Sequence, residues 1–144
     1  MASLSLRFEL LMSALRRKRG AVFHNSKGAI NGYDAVAYFQ NGQPAEGKKE
    51  FVHVWHGAKW YFNSAANRDE FAAHPEKFAP QFGGFCAYGT HNGYKIHTDP
   101  NCWTIHQGKL YLNYNERVQE MWRADPEKYI EVAAENWEGL KSRY

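Results

Sequence analysis

Cysteine is scarce in this chain, which has only Cys86 and Cys102 among its 144 residues. Proteins that depend on a disulfide scaffold carry many more cysteines, so that class is excluded. A Cys86–Cys102 bridge would form only in an oxidising compartment, and in the cytosol we expect both thiols to be free. A chain of this length buries about 68–70% of its unfolded surface, so one core can hold the fold without such staples.

Long apolar runs are also missing. Near the N-terminus the longest uncharged stretch covers residues 10–15. A secretory signal needs roughly 7–15 apolar residues after positive charge, and a transmembrane helix needs about 20. The sequence therefore shows no clear secretory signal and no transmembrane helix. We expect a cytoplasmic protein, with a periplasmic or organellar location as the alternative.

The body of the chain lacks an excess of either charge. The formal net charge is +3, but residues 1–20 hold Arg7 and the basic run 16–19 against Glu9 alone. Residues 21–144 are therefore nearly neutral, which argues against a nucleic-acid-binding surface. Any effect of positive charge on a partner belongs to the N-terminal segment.

Residues 1–20 have the pattern of an amphipathic basic helix or a targeting segment. Leu4, Phe8, Leu11 and Leu15 fall on one helical face, and a basic run then precedes Gly20. The segment is rich in arginine and poor in acids, as transit peptides are. It could equally lie on an anionic membrane surface or pack on the domain or on a protein partner. We treat residues 21–144 as the folded domain.

Two passages of the body resemble each other. The first begins at His56 and reaches a proline at Pro75, and the second begins at His106 and reaches Pro126, with one residue inserted between. Each reads as strand, glycine turn, strand and helix. We therefore predict an α+β fold, a single compact domain of two related β-hairpin–helix units with an antiparallel sheet and C-terminal helices. Internal duplication would explain the repeat.

Polar residues predict where these helices begin. Ser64 would cap the first, Asn113 or Asn115 the equivalent helix in the second unit, and Asp125 before Pro126 the last helix. One stripe of the last helix should face the core. Its members are Tyr129, Val132, Ala133, Asn136, Trp137 and Leu140.

The segment around Cys86 carries the main functional question. Gly83 and Gly84 allow a tight turn or a close approach of backbone, and Cys86 follows among aromatic residues. The thiol could be a small core residue, a metal ligand or a nucleophile, and burial is the interpretation that the residue type favours. As a ligand it would hold copper or zinc, helped by His91, His97 or Asp34. No Cys–His spacing typical of thiol enzymes is present, so we expect no catalytic residue.

Two further groups of residues have a structural and a functional interpretation. Asp34 and Asp99 could be acidic ligands, but both flank turns, where aspartate bonds its own backbone. Several aromatics could line a pocket for an apolar or planar ligand, haem included, although an aromatic core is the favoured interpretation. These are Tyr33, Tyr38, Trp60, Phe82, Phe85, Tyr88 and Trp103.

The body resembles the YHS-domain family over roughly residues 21–137. The matching motifs include Gly32-Tyr33-Asp34, Pro80-Gln81-Phe82-Gly83-Gly84-Phe85-Cys86-Ala87, Asp99-Pro100 with Trp103, and Gly108-Lys109-Leu110-Tyr111-Leu112-Asn113. The resemblance implies a small α+β domain with a metal-binding role and no established reaction. No cysteine occurs near Ser64, where metal-binding relatives often carry one.

These observations predict a small, non-catalytic binding module that holds a transition metal, copper or zinc, through Cys86. The alternative is an interaction or scaffold protein that docks on a membrane or protein partner through residues 1–20. Neither interpretation requires nucleic acid.

Overall fold

Short hairpins and helices alternate along the chain in the computed structural model, which describes residues 5–8 and 20–143. The strands are β1 His24–Asn25, β2 Gly28–Ala29, β3 Lys48–Trp55, β4 Ala58–Phe62, β5 Trp103–His106 and β6 Lys109–Leu112. The helices are α1 Ala37–Gln40, α2 Ala65–Ala73, α3 Pro75–Phe78, α4 Ala87–His91, α5 Glu116–Arg123 and α6 Pro126–Leu140, with 3₁₀ turns at Ile30–Gly32 and Gln81–Gly84. The predicted α+β class is confirmed. The strands form three separate antiparallel pairs instead of one sheet.

The predicted N-terminal helix falls mostly outside the described residues. Within it, residues 5–8 are helical and exposed. In the described ranges 5–8 and 20–143, no helix is both long and apolar enough to cross a membrane.

Both longer hairpins turn through two residues with positive φ. These are His56 and Gly57 at 50° and 73°, and Gln107 and Gly108 at 50° and 76°. Such a pair matches the right-handed twist of the flanking strands. Gln107, not His106, is therefore the equivalent of His56, and the sequence alignment that paired the two histidines is wrong by one position at the turn. His106 is the last residue of β5.

The helix starts follow the predicted caps. The Ser64 hydroxyl accepts a hydrogen bond from the Asn67 amide at 3.1 Å. Asp125 accepts one from the Lys128 amide at 3.4 Å, directly before Pro126. Of the two candidates in the second unit, Asn115 is the cap, because its side chain accepts from the Val118 amide at 2.9 Å. Asn113 has a different role, described below.

Strand β6 separates two hydrophobic clusters. Leu110 and Leu112 pack in the larger cluster with Trp60, Phe62 and Phe71, whereas Tyr111 points into the smaller one, which also contains Phe82, Trp122 and Ala133. Successive side chains of a strand point to opposite faces, so a strand between two clusters is apolar at consecutive positions. Leu110, Tyr111 and Leu112 are all buried, in agreement with this arrangement.

Helix α6 covers the smaller cluster with a stripe slightly different from the predicted one. Ala133 and Leu140 are buried, and Tyr129, Ile130 and Trp137 pack against the cluster. Val132 was predicted to face inward, but it is exposed. Ile130 takes the inward position because it lies three residues before Ala133, on the face that meets the cluster.

The glycines before Cys86 allow a close approach of backbone. Phe82, Gly83 and Gly84 all have positive φ. A Cβ atom on Gly83 would lie 1.8 Å from the Ala21 carbonyl oxygen, and the Phe23 amide donates to the Gly83 carbonyl at 2.9 Å. Only glycine fits there, so this turn fastens the start of the domain to the junction between the clusters.

Candidate functional site

Cys86 lies in the interior of the protein, with 1% of its surface exposed. It caps helix α4, where its sulfur accepts a hydrogen bond from the Gly89 amide at 3.3 Å. The thiol itself lies 3.5 Å from the Asn113 side-chain oxygen, to which it donates. Burial raises the pKa of the Cys86 thiol, and backbone amides that donate to the sulfur oppose this only in part. The protonated thiol is therefore favoured, as in a structural cysteine.

The other metal candidates occupy separate environments. The His91 ring packs against Tyr88 and Tyr129, with centroid distances of 5.4 and 4.7 Å. The His97 ring is exposed and meets Tyr114 edge-on at 5.1 Å. Within residues 5–8 and 20–143, no three His, Cys, Asp or Glu side chains form a group that could hold a metal ion. Cys86, His91, His97 and Asp34 are thus not assembled into a metal centre.

Asp34 holds three segments of the larger cluster together. One carboxylate oxygen accepts from the amides of Val36 at 2.9 Å and Ala37 at 3.1 Å. The other accepts from the Asn63 amide and the Asn67 side chain, each at 2.9 Å. The first pair is the turn role that the sequence favoured for this residue. The second pair joins positions about thirty residues apart, which local sequence could not indicate.

Asn113 has a larger structural role than the helix cap that its place in the sequence suggested. Its buried side-chain oxygen accepts from the Tyr88 amide at 3.1 Å and from the Cys86 thiol. The backbone amide of Asn113 donates to the Cys102 carbonyl at 2.9 Å, and the backbone carbonyl of Asn113 accepts from the Asp99 amide at 3.1 Å. Asn113 therefore positions both the start of α4 and the segment that contains Asp99. The sequence signals were its place directly after a strand and its place at the end of the motif that begins at Gly108.

An open cleft lies between the two units, with a volume of about 790 Å³. One wall comes from the first unit and the turns before it, and the other comes from residues 97–100 with Tyr114 and Asn115. The lining residues are Ser26, Lys27, Asn31, Gly32, Tyr33, Glu46, Gly47, Lys49, Tyr61, His97, Thr98, Asp99, Pro100, Tyr114 and Asn115. Cys86 is not among them.

Hydrogen bonds to residues 97–100 hold this wall of the cleft in place. The Asn31 side chain donates to the Thr98 carbonyl at 3.0 Å, and the Tyr38 hydroxyl donates to the Pro100 carbonyl at 2.7 Å. The Thr98 hydroxyl donates in turn to the Gly84 carbonyl at 2.7 Å. Asn31 has a φ of 58°, a left-handed conformation that asparagine tolerates better than most residues. The cleft is therefore formed before any ligand arrives.

Two glycines make room for Tyr61 in one wall. A Cβ atom on Gly28 would lie 2.5 Å from Cε2 of Tyr61, and one on Gly47 would lie 2.6 Å from the Tyr61 Cβ. Gly28 therefore packs closely against the Tyr61 ring, and Gly47 against the Tyr61 backbone and Cβ. Tyr114 and His97 form an aromatic pair on the opposite wall.

Charges of both signs line the cleft and balance formally, since the lining contains Lys27 and Lys49 as well as Glu46 and Asp99. Tyr33 and Glu46 are neighbours through an isolated β-bridge. Burial raises the pKa of Tyr33, and the Glu46 and Asp99 carboxylates raise it further. The phenol therefore stays protonated and remains a hydrogen-bond donor near neutral pH.

The sequence identified few of these residues. Of the aromatics proposed as pocket lining, Tyr33 borders this cleft, whereas Tyr38, Trp60 and Phe82 are buried in the two clusters. Tyr61 and Tyr114 were not among the aromatics proposed as pocket lining. Asp99 and His97 do border the cleft, although Asp99 also makes the predicted turn bond, to the Asn101 amide at 2.9 Å.

Comparison of the chain with protein-family models, with curated proteins and with solved structures found no match.

Proposed function

We propose that this protein is a small, non-catalytic binding module and that the cleft between its two units is the binding site. The observation that carries the proposal is the cleft itself, which is preformed, open and walled by both units. Concave sites of roughly 300–1,000 Å³ are the usual locations of small-molecule binding. The lining side chains lie outside both hydrophobic clusters, so packing of the core does not account for them.

The cleft has the properties of a site that holds a ligand without reacting with it. Its phenol at Tyr33 is kept protonated, and both thiols of the chain, Cys86 and Cys102, are buried outside the lining. Hydrogen-bond donors and acceptors that are fixed by the fold orient a ligand and provide specificity. This supports binding as the function more than turnover.

The narrower prediction, a copper or zinc site at Cys86, has less support. A metal requires the thiolate, but burial raises the pKa of Cys86 and its sulfur is already bonded to Gly89 and Asn113. Both oxygens of Asp34 accept bonds from the chain's own donors. These residues do not fit a metal centre, so the proposed site is the cleft.

Membership of the YHS family and an internal duplication remain predictions from the sequence. The order of hairpin, capped helix and proline-initiated helix, which occurs in both units, is the observation behind the duplication. The Gly83-Gly84-Phe85-Cys86 motif behind the resemblance forms the junction of the two clusters, so its residues have structural reasons to be present.

A cleft-filling variant tests the proposal without knowledge of the ligand. Ser26 is an exposed residue of the lining, and Ser26→Trp would place a large ring in the cleft. Ser142→Trp is the matched control, because Ser142 is exposed and lies outside the lining. A library of small polar compounds is screened by ligand-observed NMR against the parent and both variants. We expect binders that Ser26→Trp removes and Ser142→Trp retains; a screen without binders, or with binders insensitive to Ser26→Trp, would refute the proposal.

The alternative function, docking through the N-terminal segment, is supported by one observation. Leu6 and Phe8 are 47% and 62% exposed, so apolar side chains of this segment face solvent. Gly20 should be kept in a truncation, since its carbonyl accepts a hydrogen bond from the Lys95 ammonium. We expect removal of residues 1–19 to abolish co-sedimentation with vesicles that contain phosphatidylserine and to leave the unfolding midpoint unchanged. Equal co-sedimentation of the full-length and truncated chains would contradict docking on anionic membranes.

A further inference from the structure

We propose that the ligand of the cleft is an uncharged saccharide of one or a few rings, an inference that rests on the proposed function. The chemistry of the lining gives three reasons, which concern its charge balance, its aromatic walls and its uncommitted polar groups.

The charge balance of the lining favours an uncharged ligand. Lys27 and Lys49 are matched by Glu46 and Asp99, so the cleft presents no net formal charge. An anionic ligand would lose binding energy to the two carboxylates, and a cationic one to the two ammonium groups. An uncharged ligand that both donates and accepts hydrogen bonds can use charged partners of either sign.

The aromatic walls suit a ligand with an apolar face. The Tyr61 ring packs closely against Gly28, and the Tyr114 ring is positioned by its edge contact with His97. Rigid aromatic side chains contribute contact area with little loss of conformational entropy, and their hydroxyls remain available. A pyranose ring offers C–H groups to such a surface and hydroxyl groups around its edge.

The lining also contains polar groups that the fold does not use. In the part of the chain that the structure describes, the hydroxyls of Ser26, Tyr61 and Tyr114 and the ammonium groups of Lys27 and Lys49 are without a hydrogen-bond partner from the protein. These groups belong to both walls of the cleft. Many separate donors and acceptors around aromatic surfaces correspond to the many hydroxyls of a saccharide.

The test uses a panel of saccharides that differ in charge. The uncharged members are maltose, cellobiose, sucrose and N,N′-diacetylchitobiose; glucose 6-phosphate is the anionic member and glucosamine the cationic one. Binding is measured by saturation-transfer NMR and titration calorimetry on the full chain. We expect at least one uncharged disaccharide to bind more tightly than both charged sugars.

Aromatic variants then locate the binding. Tyr114→Leu removes a ring that is 42% exposed, so the fold should tolerate the change. Tyr94→Leu is the control, because Tyr94 is 65% exposed and lies outside the lining. We expect Tyr114→Leu to weaken binding of the saccharide about tenfold, the effect of one lost aromatic contact, and Tyr94→Leu to leave it unchanged.

The outcomes separate this inference from the proposed function. The inference is overturned if a charged sugar binds better than every uncharged one. It is also overturned if only compounds other than saccharides bind and Ser26→Trp abolishes their binding. In both cases the cleft remains a binding site. Saccharide binding that is equal in Tyr114→Leu and Tyr94→Leu also overturns the inference. If neither the panel nor the library contains a compound whose binding depends on the cleft, both fail.

Discussion

Replacement of Asp34 should destabilise the protein more than replacement of any exposed acidic residue. The side chain is fully buried and accepts four hydrogen bonds, from the amides of Val36, Ala37 and Asn63 and from the Asn67 side chain. Asp34→Ala removes the acceptor and leaves four donors in a site closed to solvent. Asp34→Asn keeps the volume but turns an NH₂ group towards two donors.

The magnitude follows from the number of donors that lose their acceptor. A buried donor without a partner costs about 1–3 kcal/mol, and part of this is recovered if water enters the space that the carboxylate leaves. For four donors we therefore expect Asp34→Ala to lower the free energy of unfolding by about 4 kcal/mol, and Asp34→Asn by about 3 kcal/mol because two donors remain satisfied. Domains of this kind are stable by about 5–15 kcal/mol in total, so Asp34→Asn should still fold and be measurable.

Urea unfolding followed by tryptophan fluorescence provides the assay, since Trp60 is buried in the same cluster as the Asp34 network. The control is Asp69→Asn, because the Asp69 side chain is 70% exposed and pairs only with Arg68 at the surface. Exposed ion pairs contribute about 0–1 kcal/mol, so the control should change stability little. If Asp34→Asn costs no more than Asp69→Asn, the four hydrogen bonds do not hold these segments together and the reasoning is refuted.

Three further predictions concern other parts of the molecule. Gly83→Ala should lower the free energy of unfolding by about 3 kcal/mol or more, because the added Cβ atom would clash with the backbone of Ala21. Gly42 also has positive φ but lies in open space, so Gly42→Ala should cost only about 1–2 kcal/mol. Equal losses in urea unfolding would show that the contact with Ala21 is unimportant. Iodoacetamide should label Cys86 far more slowly in the folded protein than in urea. The labelling rate should begin to increase at a higher pH than for a free cysteine, because burial raises the pKa of the Cys86 thiol. Fast labelling at pH 7, measured by mass spectrometry of the peptide that contains Cys86, would contradict the structural role. Burial, with a smaller effect from Arg143, lowers the pKa of Lys95 from 10.5 to about 8. Between pH 8 and pH 10.5 the unfolded chain therefore binds more protons at Lys95 than the folded protein does. The contribution of Lys95 to the free energy of unfolding should increase as the pH rises through this range. Titration of the Lys95 side chain by NMR checks the value, and a midpoint near 10.5 would contradict it.

Sequence patterns predicted the local features of the fold well, because these depend on neighbouring residues. The Ser64 and Asp125 caps are side chains that bond amides three residues later, and the glycine turns need positive φ at particular positions. The same reasoning was less accurate where two local solutions were available, as with Asn113 and Asn115. There the choice depended on a contact with Cys86, which is distant in sequence.

The sequence by itself determined the α+β class, the hairpins, the helix starts at Ser64 and Asp125, and the turn roles of Asp34 and Asp99. Only the tertiary structure decided that Cys86 is an interior cap next to Asn113 and that the candidate site is a cleft bordered by Tyr33, Tyr61 and Tyr114. The physical reason is the range of the interactions. Turns and caps are made within a few residues, whereas the cleft exists because Asn31 and Tyr38 bond the backbone of a segment more than sixty positions away.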